Sequence, residues 1–235
     1  MAQVRFQMPA FRTATSVLIA LMIAVSVMVR VVPSLAPYIV FIPSSVLTVP
    51  WSVLTYGFVA TDPVGVIFGA LILYSIGGQL ETVWGTRRFV LFSIGATALA
   101  AVATALVALV WSTAREVPYP GSSVMTGALW VAYGLWVGPR QANFWGLPMT
   151  GNQLAALGAF FVALNAIFSH PILMLPSAFA LLFAYLASRG YTPANAWLRF
   201  RSWSLSRQLA RRSNHLKVVS GDKRNMPNDS DRFLH

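Results

Sequence analysis

The chain has 235 residues, of which 57% are hydrophobic and 10% are charged, and apolar runs recur along most of its length. This composition argues against a soluble globular domain and predicts an all-α polytopic membrane protein. Cysteine is absent, which excludes disulfides, thiol nucleophiles and metals held by cysteine. The formal net charge of +11 does not indicate a nucleic-acid partner, because most of the excess lies in one tail after the last apolar run.

Six apolar runs approach the length that a bilayer core requires, roughly 17 to 25 residues for a helix. They predict a six-transmembrane-helix bundle within a membrane domain at residues 14–188, after a short cytoplasmic N-terminus at residues 1–13. The predicted spans are 14–32, 63–80, 89–111, 123–139, 152–169 and 171–188.

Basic residues predict the orientation of this bundle. In a six-span arrangement the N-terminal arginines, the pair after the second span, the arginine after the fourth span and the basic tail all fall on one side. By the positive-inside rule that side is cytoplasmic, so both termini are expected there, and the bacterial plasma membrane is the expected location. These arginines are Arg5, Arg12, Arg87, Arg88 and Arg140; the opposite loops carry Asp62, Arg115, Glu116 and His170.

The tail divides into two predicted parts. In residues 189–212, Leu198, Leu205 and Leu209 share one helical face and aromatic residues alternate with arginines, which predicts a basic helix lying on anionic lipid. A solvated basic tail that only orients the protein is the alternative. The polar composition of residues 213–235 predicts disorder.

A pattern around the second span carries a family resemblance. Trp51, Thr55, Gly77, Glu81 and Gly85 occur in order and end in a Gly-x-x-x-Glu-x-x-x-Gly turn. This pattern resembles the rhomboid family of intramembrane serine proteases, whose members also carry a Trp-Arg loop, histidines and an asparagine in the second helix. The resemblance implies a six-helix fold, membrane lipids as surroundings and, in active members, serine-type endopeptidase activity without a metal or another cofactor.

The second helix departs from the family pattern. Ser52 stands at the loop arginine and Ala60 at the first histidine, while Gly65 and Gly69 replace the His-x-x-x-Asn pair that helps to bind the oxyanion. Loss of an oxyanion donor typically costs about 10² to 10³ in rate. The simpler interpretation is that Gly65-x-x-x-Gly69 lets two membrane helices approach closely.

The expected nucleophile position is also altered. Thr126 stands where the family serine would be, and Gly127 and Gly134 match the glycines that accompany it; a second register would use Ser123 instead. Alternatively, the hydroxyl groups at this helix start, those of Ser122, Ser123 and Thr126, cap the helix.

The family base is missing from its expected place. The His-x-x-Gly-x-x-x-Gly pattern of the sixth helix reads Ser177, Ala180 and Ala184 here. A serine hydroxyl cannot act as that base, whereas a hydroxyl nucleophile needs one within hydrogen-bond reach. His170 is the remaining candidate base, although a loop histidine is more often a surface residue; His215 and His235 lie in the tail.

Four other side chains receive structural interpretations. Glu81 is expected to pair with an arginine or to accept hydrogen bonds from turn amides, and Trp51 and Trp84 are expected to anchor the protein at the membrane interface. Asn165 is expected to form a hydrogen bond between helices.

These features predict a non-proteolytic pseudoprotease that binds transmembrane helices of client proteins. The first alternative is an active intramembrane endopeptidase that uses Thr126 or Ser123 with His170 as its base. The second alternative is a small transporter, which would need a polar pathway that the spans do not display.

Overall fold

The computed structural model describes residues 13–168, 170–189 and 202. Six longer helices lie near the six predicted spans, and proline and glycine mark several of their ends. Their bounds are α1 Ala14–Val31, α2 Pro63–Trp84, α3 Thr86–Val110, α4 Ser122–Val137, α5 Gly151–Phe168 and α6 Leu175–Ser188, the last preceded by a 3₁₀ turn at Pro171–Met174.

Four segments of the described chain are long and apolar enough to cross a membrane: α1, α2, α3 and Pro171–Ser188. The helix α4 is apolar but shorter, with 16 residues. Helix positions therefore agree with the sequence analysis, whereas the count of six spans and the cytoplasmic termini stay predictions.

The helix α2 has three features that shape its ends and middle. Asp62 is its N-cap, and the side-chain Oδ1 accepts a hydrogen bond from the Gly65 amide at 2.7 Å. Residues Leu73–Gly77 form a π-helical segment, and Gly85, with φ of +79°, ends the helix. Glycine suits that position because a residue with a Cβ atom rarely adopts a positive φ.

The segment between α1 and α2 packs as an ordered cap rather than as a simple loop. It contains short helices at Ala36–Ile39 and Ser52–Thr55 and 3₁₀ turns at Pro33–Leu35, Pro43–Ser45 and Tyr56–Phe58. Phe41, Tyr56 and Tyr119 are fully buried against one another. Burial raises the pKa of Tyr56, whose neutral phenol donates to the Thr97 carbonyl at 2.7 Å. These contacts hold the segment against α3 and the start of α4. The connection between α3 and α4 contains a further 3₁₀ turn at Ser112–Ala114.

The core is built around α4, in which nearly every residue is buried. This helix packs against α2, α3, α5 and α6. At Gly134 a Cβ atom would lie 2.5 Å from the Ala155 amide nitrogen, so the backbones of α4 and α5 nearly touch there. This close approach explains why the position needs glycine.

A two-stranded hairpin connects α4 to α5, and the all-α prediction missed it. β1 (Gln141–Phe144) pairs antiparallel with β2 (Leu147–Thr150). The two residues of the turn, Trp145 and Gly146, have φ of 51° and 87°, as in the mirror-image turns that suit a hairpin.

Several predictions fall on residues that the structure does not describe. The chain divides into two units, Met1–Tyr191 and Thr192–His235, and only Ser202 of the second unit is described. Arg5, Arg12, most of the predicted interfacial helix at 189–212, the predicted disordered tail at 213–235, His215 and His235 lie outside the described residues.

Candidate functional site

A cavity of about 750 Å³ lies beside α4, between α2 and α5. The hairpin and the start of α6 complete its wall. Positions that the resemblance assigns to three different helices line this one cavity. The predicted site residues that line the cavity are Gly65, Gly69, Ser123, Thr126, Gly127 and Ser177.

The Thr126 hydroxyl is occupied by its own helix. Thr126 is 4% exposed, and its Oγ1 donates to the Ser122 carbonyl at 2.8 Å. A threonine in this arrangement satisfies its donor locally and has no need of another partner. To act as a nucleophile, the hydroxyl would have to leave this bond and find a base.

The predicted capping role of the hydroxyls at the start of α4 is wrong. The N-cap is Gly121, with no side-chain hydrogen bond. Backbone carbonyls of the preceding segment take over instead: the Gly121 and Ser122 amides donate to the Tyr56 and Val59 carbonyls at 3.0 and 3.1 Å. The cap segment therefore positions α4 through its backbone.

Ser177 and His170, the two candidates for the position of the base, occupy different environments. Ser177 is 7% exposed in the first turn of α6 and lines the cavity. His170 is exposed, precedes the 3₁₀ turn Pro171–Met174 and is not among the residues that line the cavity. The structure brings Thr126 and Ser177 to one cavity and places His170 outside it.

Gly65 and Gly69, the glycines at the predicted oxyanion positions, have different neighbours. A Cβ atom at Gly69 would lie 3.0 Å from Met22 Sδ of α1 and 3.8 Å from Thr126 Cγ2 of α4. Close helix approach is thus confirmed at Gly69. At Gly65 the nearest atoms belong to Asp62, the N-cap of the same helix, so the predicted helix-packing role does not explain that glycine.

The lining of the cavity offers little acid–base chemistry. Asp62 is the charged side chain among its described lining residues, and its carboxylate already caps α2. None of those lining residues is a histidine, lysine or arginine. Trp130 Nε1, on α4, is buried without a hydrogen-bond acceptor in the described part of the chain.

Glu81 is 7% exposed, and most of its hydrogen-bond partners lie at the start of α1. Its carboxylate accepts from the amides of Ala14 and Thr15, both at 2.9 Å, and from the Thr15 hydroxyl at 2.7 Å. The Thr86 hydroxyl donates to it at 2.9 Å. None of these partners in the described chain is an arginine. Of the two predicted roles, the described residues show hydrogen bonds from amides, and these amides belong to α1 rather than to the turn.

The other motif residues have structural neighbours. Trp51 Nε1 donates to the Tyr38 carbonyl at 3.0 Å, and Thr55 Oγ1 donates to the Ile39 carbonyl at 2.9 Å. Both bonds tie parts of the cap segment together. A Cβ atom at Gly77 would lie 3.2 Å from Phe89 Cζ, so this glycine leaves room for an aromatic ring of α3.

Sequence analysis missed two contributors to the site and its surroundings. Phe144, Trp145, Leu147 and Met149 of the hairpin and its turn line one end of the cavity, and the only sequence signal was the weak Trp145-Gly146 turn. Tyr133 of α4 hydrogen-bonds Gln79 of α2, a contact between distant residues that no local pattern announces.

Comparisons with known proteins agree with the sequence resemblance. Residues 13–210 match the family described as "Eukaryotic integral membrane protein (DUF1751)". Rhomboid-like protein 19 of Arabidopsis thaliana is 27% identical over 191 residues, which cover 78% of this chain and 57% of that relative. The chain therefore spans little more than half the length of this relative. The eukaryotic family contradicts the expected bacterial plasma membrane. This chain belongs to the DUF1751 family of eukaryotic integral membrane proteins and is a rhomboid-like, multi-pass membrane protein.

Proposed function

We propose that the protein is a non-proteolytic rhomboid-like protein that binds transmembrane segments of other membrane proteins along the opening between α2 and α5. The observation that carries this proposal is the cavity itself. It is lined by the positions that the resemblance assigns to a protease site, and these are Thr126, whose hydroxyl is bonded, and Ser177, where the resemblance implies a nucleophile and a histidine. The whole protein's clients stay a proposal, since the chain spans 57% of its matched relative.

Apolar side chains flank the proposed docking surface. Phe68 of α2 and Phe161 of α5 line the cavity and are 52% and 50% exposed. The described residues of these two helices do not pack extensively against each other. A groove with aromatic rims suits an apolar helix, which gains close packing there rather than burial from water.

The size of the cavity limits how a client could bind. A membrane helix about 30 Å long and 10 Å across occupies roughly 2,400 Å³, about three times the cavity volume. A client helix would therefore lie along α2 and α5 and place only side chains between them. Small residues in the client would ease that approach.

The cytoplasmic orientation of the termini is part of the same proposal. Arg87 and Arg88, in the first turn of α3, lie at the end of the bundle where α1 begins, because Glu81 just before them bonds the α1 amides. Arg140 follows α4 at that end by helix alternation. Arg189 follows α6 at that same end by helix alternation. The positive-inside rule then assigns that end to the cytoplasm.

Site-specific photocrosslinking tests client binding. A benzophenone amino acid is introduced at Phe68 or Phe161, and at Leu106 of α3 as a control that is 60% exposed but does not line the cavity. Each variant is co-expressed with a panel of single-span reporter proteins. We expect reporter adducts from positions 68 and 161 that excess synthetic span peptide suppresses. Equal yields from position 106 for every reporter would refute the docking surface.

Labelling with a fluorophosphonate probe tests the absence of proteolysis. We expect the purified protein to label no more than its Thr126→Ala, Ser123→Ala and His170→Ala variants, because the Thr126 hydroxyl is bonded and His170 lies outside the cavity. Labelling of the unmodified protein that any one of these changes abolishes would establish the active endopeptidase instead.

A further inference from the structure

The polar side chains that line the cavity beside α4 lie at one end of it. The starts of α2, α4 and α6 and the end of α5 lie on one side of the bundle, and the polar lining residues come from them. The other end is closed by apolar and aromatic side chains. The polar set includes Thr61, Asp62, Ser122, Ser123, Asn165 and Ser177; the apolar set includes Ile72, Trp130, Phe144, Trp145, Leu147 and Leu157.

The dimensions of the cavity suit one hydrocarbon chain. From Asp62 to Ile72 the wall follows α2 for ten residues, about 15 Å along the helix axis. That depth is half of a bilayer core of about 30 Å, and therefore about one leaflet. The volume of about 750 Å³ lies within the range of small-molecule sites, roughly 300 to 1,000 Å³, and is far below that of a helix.

The polar end restricts the charge of a bound head group. The Asp62 carboxylate, the charged group among the described lining residues, would repel an anion. The start of α4 carries the partial positive charge of a helix N-terminus, and its Gly121 N-cap supplies no side-chain acceptor. A cation is therefore disfavoured at α4, and a neutral head with a hydroxyl donor for Asp62 and a carbonyl acceptor for α4 suits both sides.

We infer that this cavity binds a neutral single-chain amphiphile with a hydroxyl-bearing ester or amide head, such as a monoacylglycerol. The hydrocarbon chain of this amphiphile lies between α2 and α5 and extends toward Trp130, and its head group lies beside Asp62 and Ser123. Since a lipid tail gains little by moving from a bilayer into an apolar cavity, the head group decides the selectivity. This inference does not depend on client binding.

Competition among three amphiphiles with the same hexadecyl-length chain tests the inference. A photoreactive monoacylglycerol is crosslinked to the purified full-length protein in detergent, in the absence of any client, and monopalmitoylglycerol, hexadecylamine and hexadecyl phosphate compete with it. We expect monopalmitoylglycerol to compete about tenfold better than either charged compound, which corresponds to one good polar contact. Equal or better competition by a charged compound would overturn the proposed head group.

Two substitutions separate the head from the chain. Asp62→Asn keeps an N-cap residue of similar quality, so α2 should still begin there, but it removes the charge. We expect it to improve competition by hexadecyl phosphate about tenfold. Val162→Trp places a large ring in the cavity and should reduce photolabelling about tenfold, whereas Leu106→Trp on α3 should leave it unchanged.

Mapping of the photoadduct on the unmodified protein keeps the test independent of how the variants fold. Adducts within Pro63–Trp84, Ser122–Val137 or Gly151–Phe168 are expected. Adducts confined to other segments, or labelling that Val162→Trp leaves intact in a folded protein, would refute the cavity as a lipid site. In either case the crosslinking test for clients remains separate, because it contains no added amphiphile.

Discussion

Replacing Glu81 with glutamine should lower the stability of the membrane domain by about 3 kcal/mol. The carboxylate accepts two amide and two hydroxyl hydrogen bonds, from Ala14, Thr15 and Thr86, and it is 7% exposed. A glutamine offers one acceptor oxygen, and its NH₂ group would face donors on the other side. A hydroxyl can rotate to accept from it, but a backbone amide cannot, so one buried amide loses its acceptor.

The magnitude follows from these losses. An unsatisfied buried amide costs about 1 to 3 kcal/mol, and the remaining bonds lose the additional strength of a charged acceptor. For a chain of this size, about 3 kcal/mol corresponds to a fall in Tm of roughly 6 to 12 °C. The loss also removes a negative charge from the N-terminus of α1, where the helix dipole favours it.

Thermal unfolding of the purified variants in detergent measures this effect. Glu116→Gln is the matched control, because Glu116 is exposed and accepts one bond, from Ser44 Oγ at 3.2 Å; its Tm should change by less than about 4 °C. A double-mutant cycle with Thr15→Val should return a coupling energy of about 1 kcal/mol. A Tm of Glu81→Gln within about 2 °C of that of the unmodified protein would refute the stabilising role of this network. A fall in Tm for Arg87→Gln as large as that for Glu81→Gln would instead favour an ion pair between Glu81 and Arg87.

Two further predictions concern packing and topology. Gly134→Ala should lower stability by about 2 kcal/mol or more, because its Cβ atom would lie 2.5 Å from the Ala155 amide nitrogen. Gly95→Ala is the control: no atom lies within 4 Å of its added Cβ, so it should raise stability by up to about 1 kcal/mol. Denaturant or thermal unfolding compares the two variants. Because the chain has no cysteine, single cysteines at the exposed positions Ser112 and Gln141 report topology: an impermeant thiol reagent on the cytosolic side should modify only Gln141→Cys, and the reverse pattern would overturn the orientation.

Helix positions were accessible from sequence because one physical constraint dominates them. A bilayer requires long apolar runs, and Asp62-Pro63 and Gly85 interrupt those runs at positions where backbone geometry changes. The second predicted span, 63–80, thus begins at the observed residue and ends four residues before Trp84. The predicted C-terminal end of this span falls short because the helix continues through the Gly-x-x-x-Glu-x-x-x-Gly motif as far as Trp84, before Gly85.

Contacts between distant segments were less accessible. The interpretation of Glu81 considered partners nearby in sequence, whereas its strongest bonds join α1, 66 and 67 residues away. The hairpin was missed because its turn is Trp145-Gly146 rather than Asn-Gly, and its strands have four residues each. The Glu81 bonds and the hairpin depend on tertiary contacts between elements that are distant in sequence. The family pattern was informative because its residues are spread over several of these elements.

Packing at Gly69, a predicted oxyanion position, bears on the chemistry of the site. At Gly69 a Cβ atom would already lie 3.0 Å from Met22 Sδ, so an asparagine side chain has no room unless Met22 moves. Met22 is fully buried, and moving it would disturb the contact between α1 and α2. If the proposed register holds, the absence of a donor at position 69 and the close packing of α1 against α2 there share one structural cause. Restoring a serine at Thr126 and a histidine at Ser177 would leave this obstacle in place, and this supports the proposal that the scaffold now serves binding rather than hydrolysis.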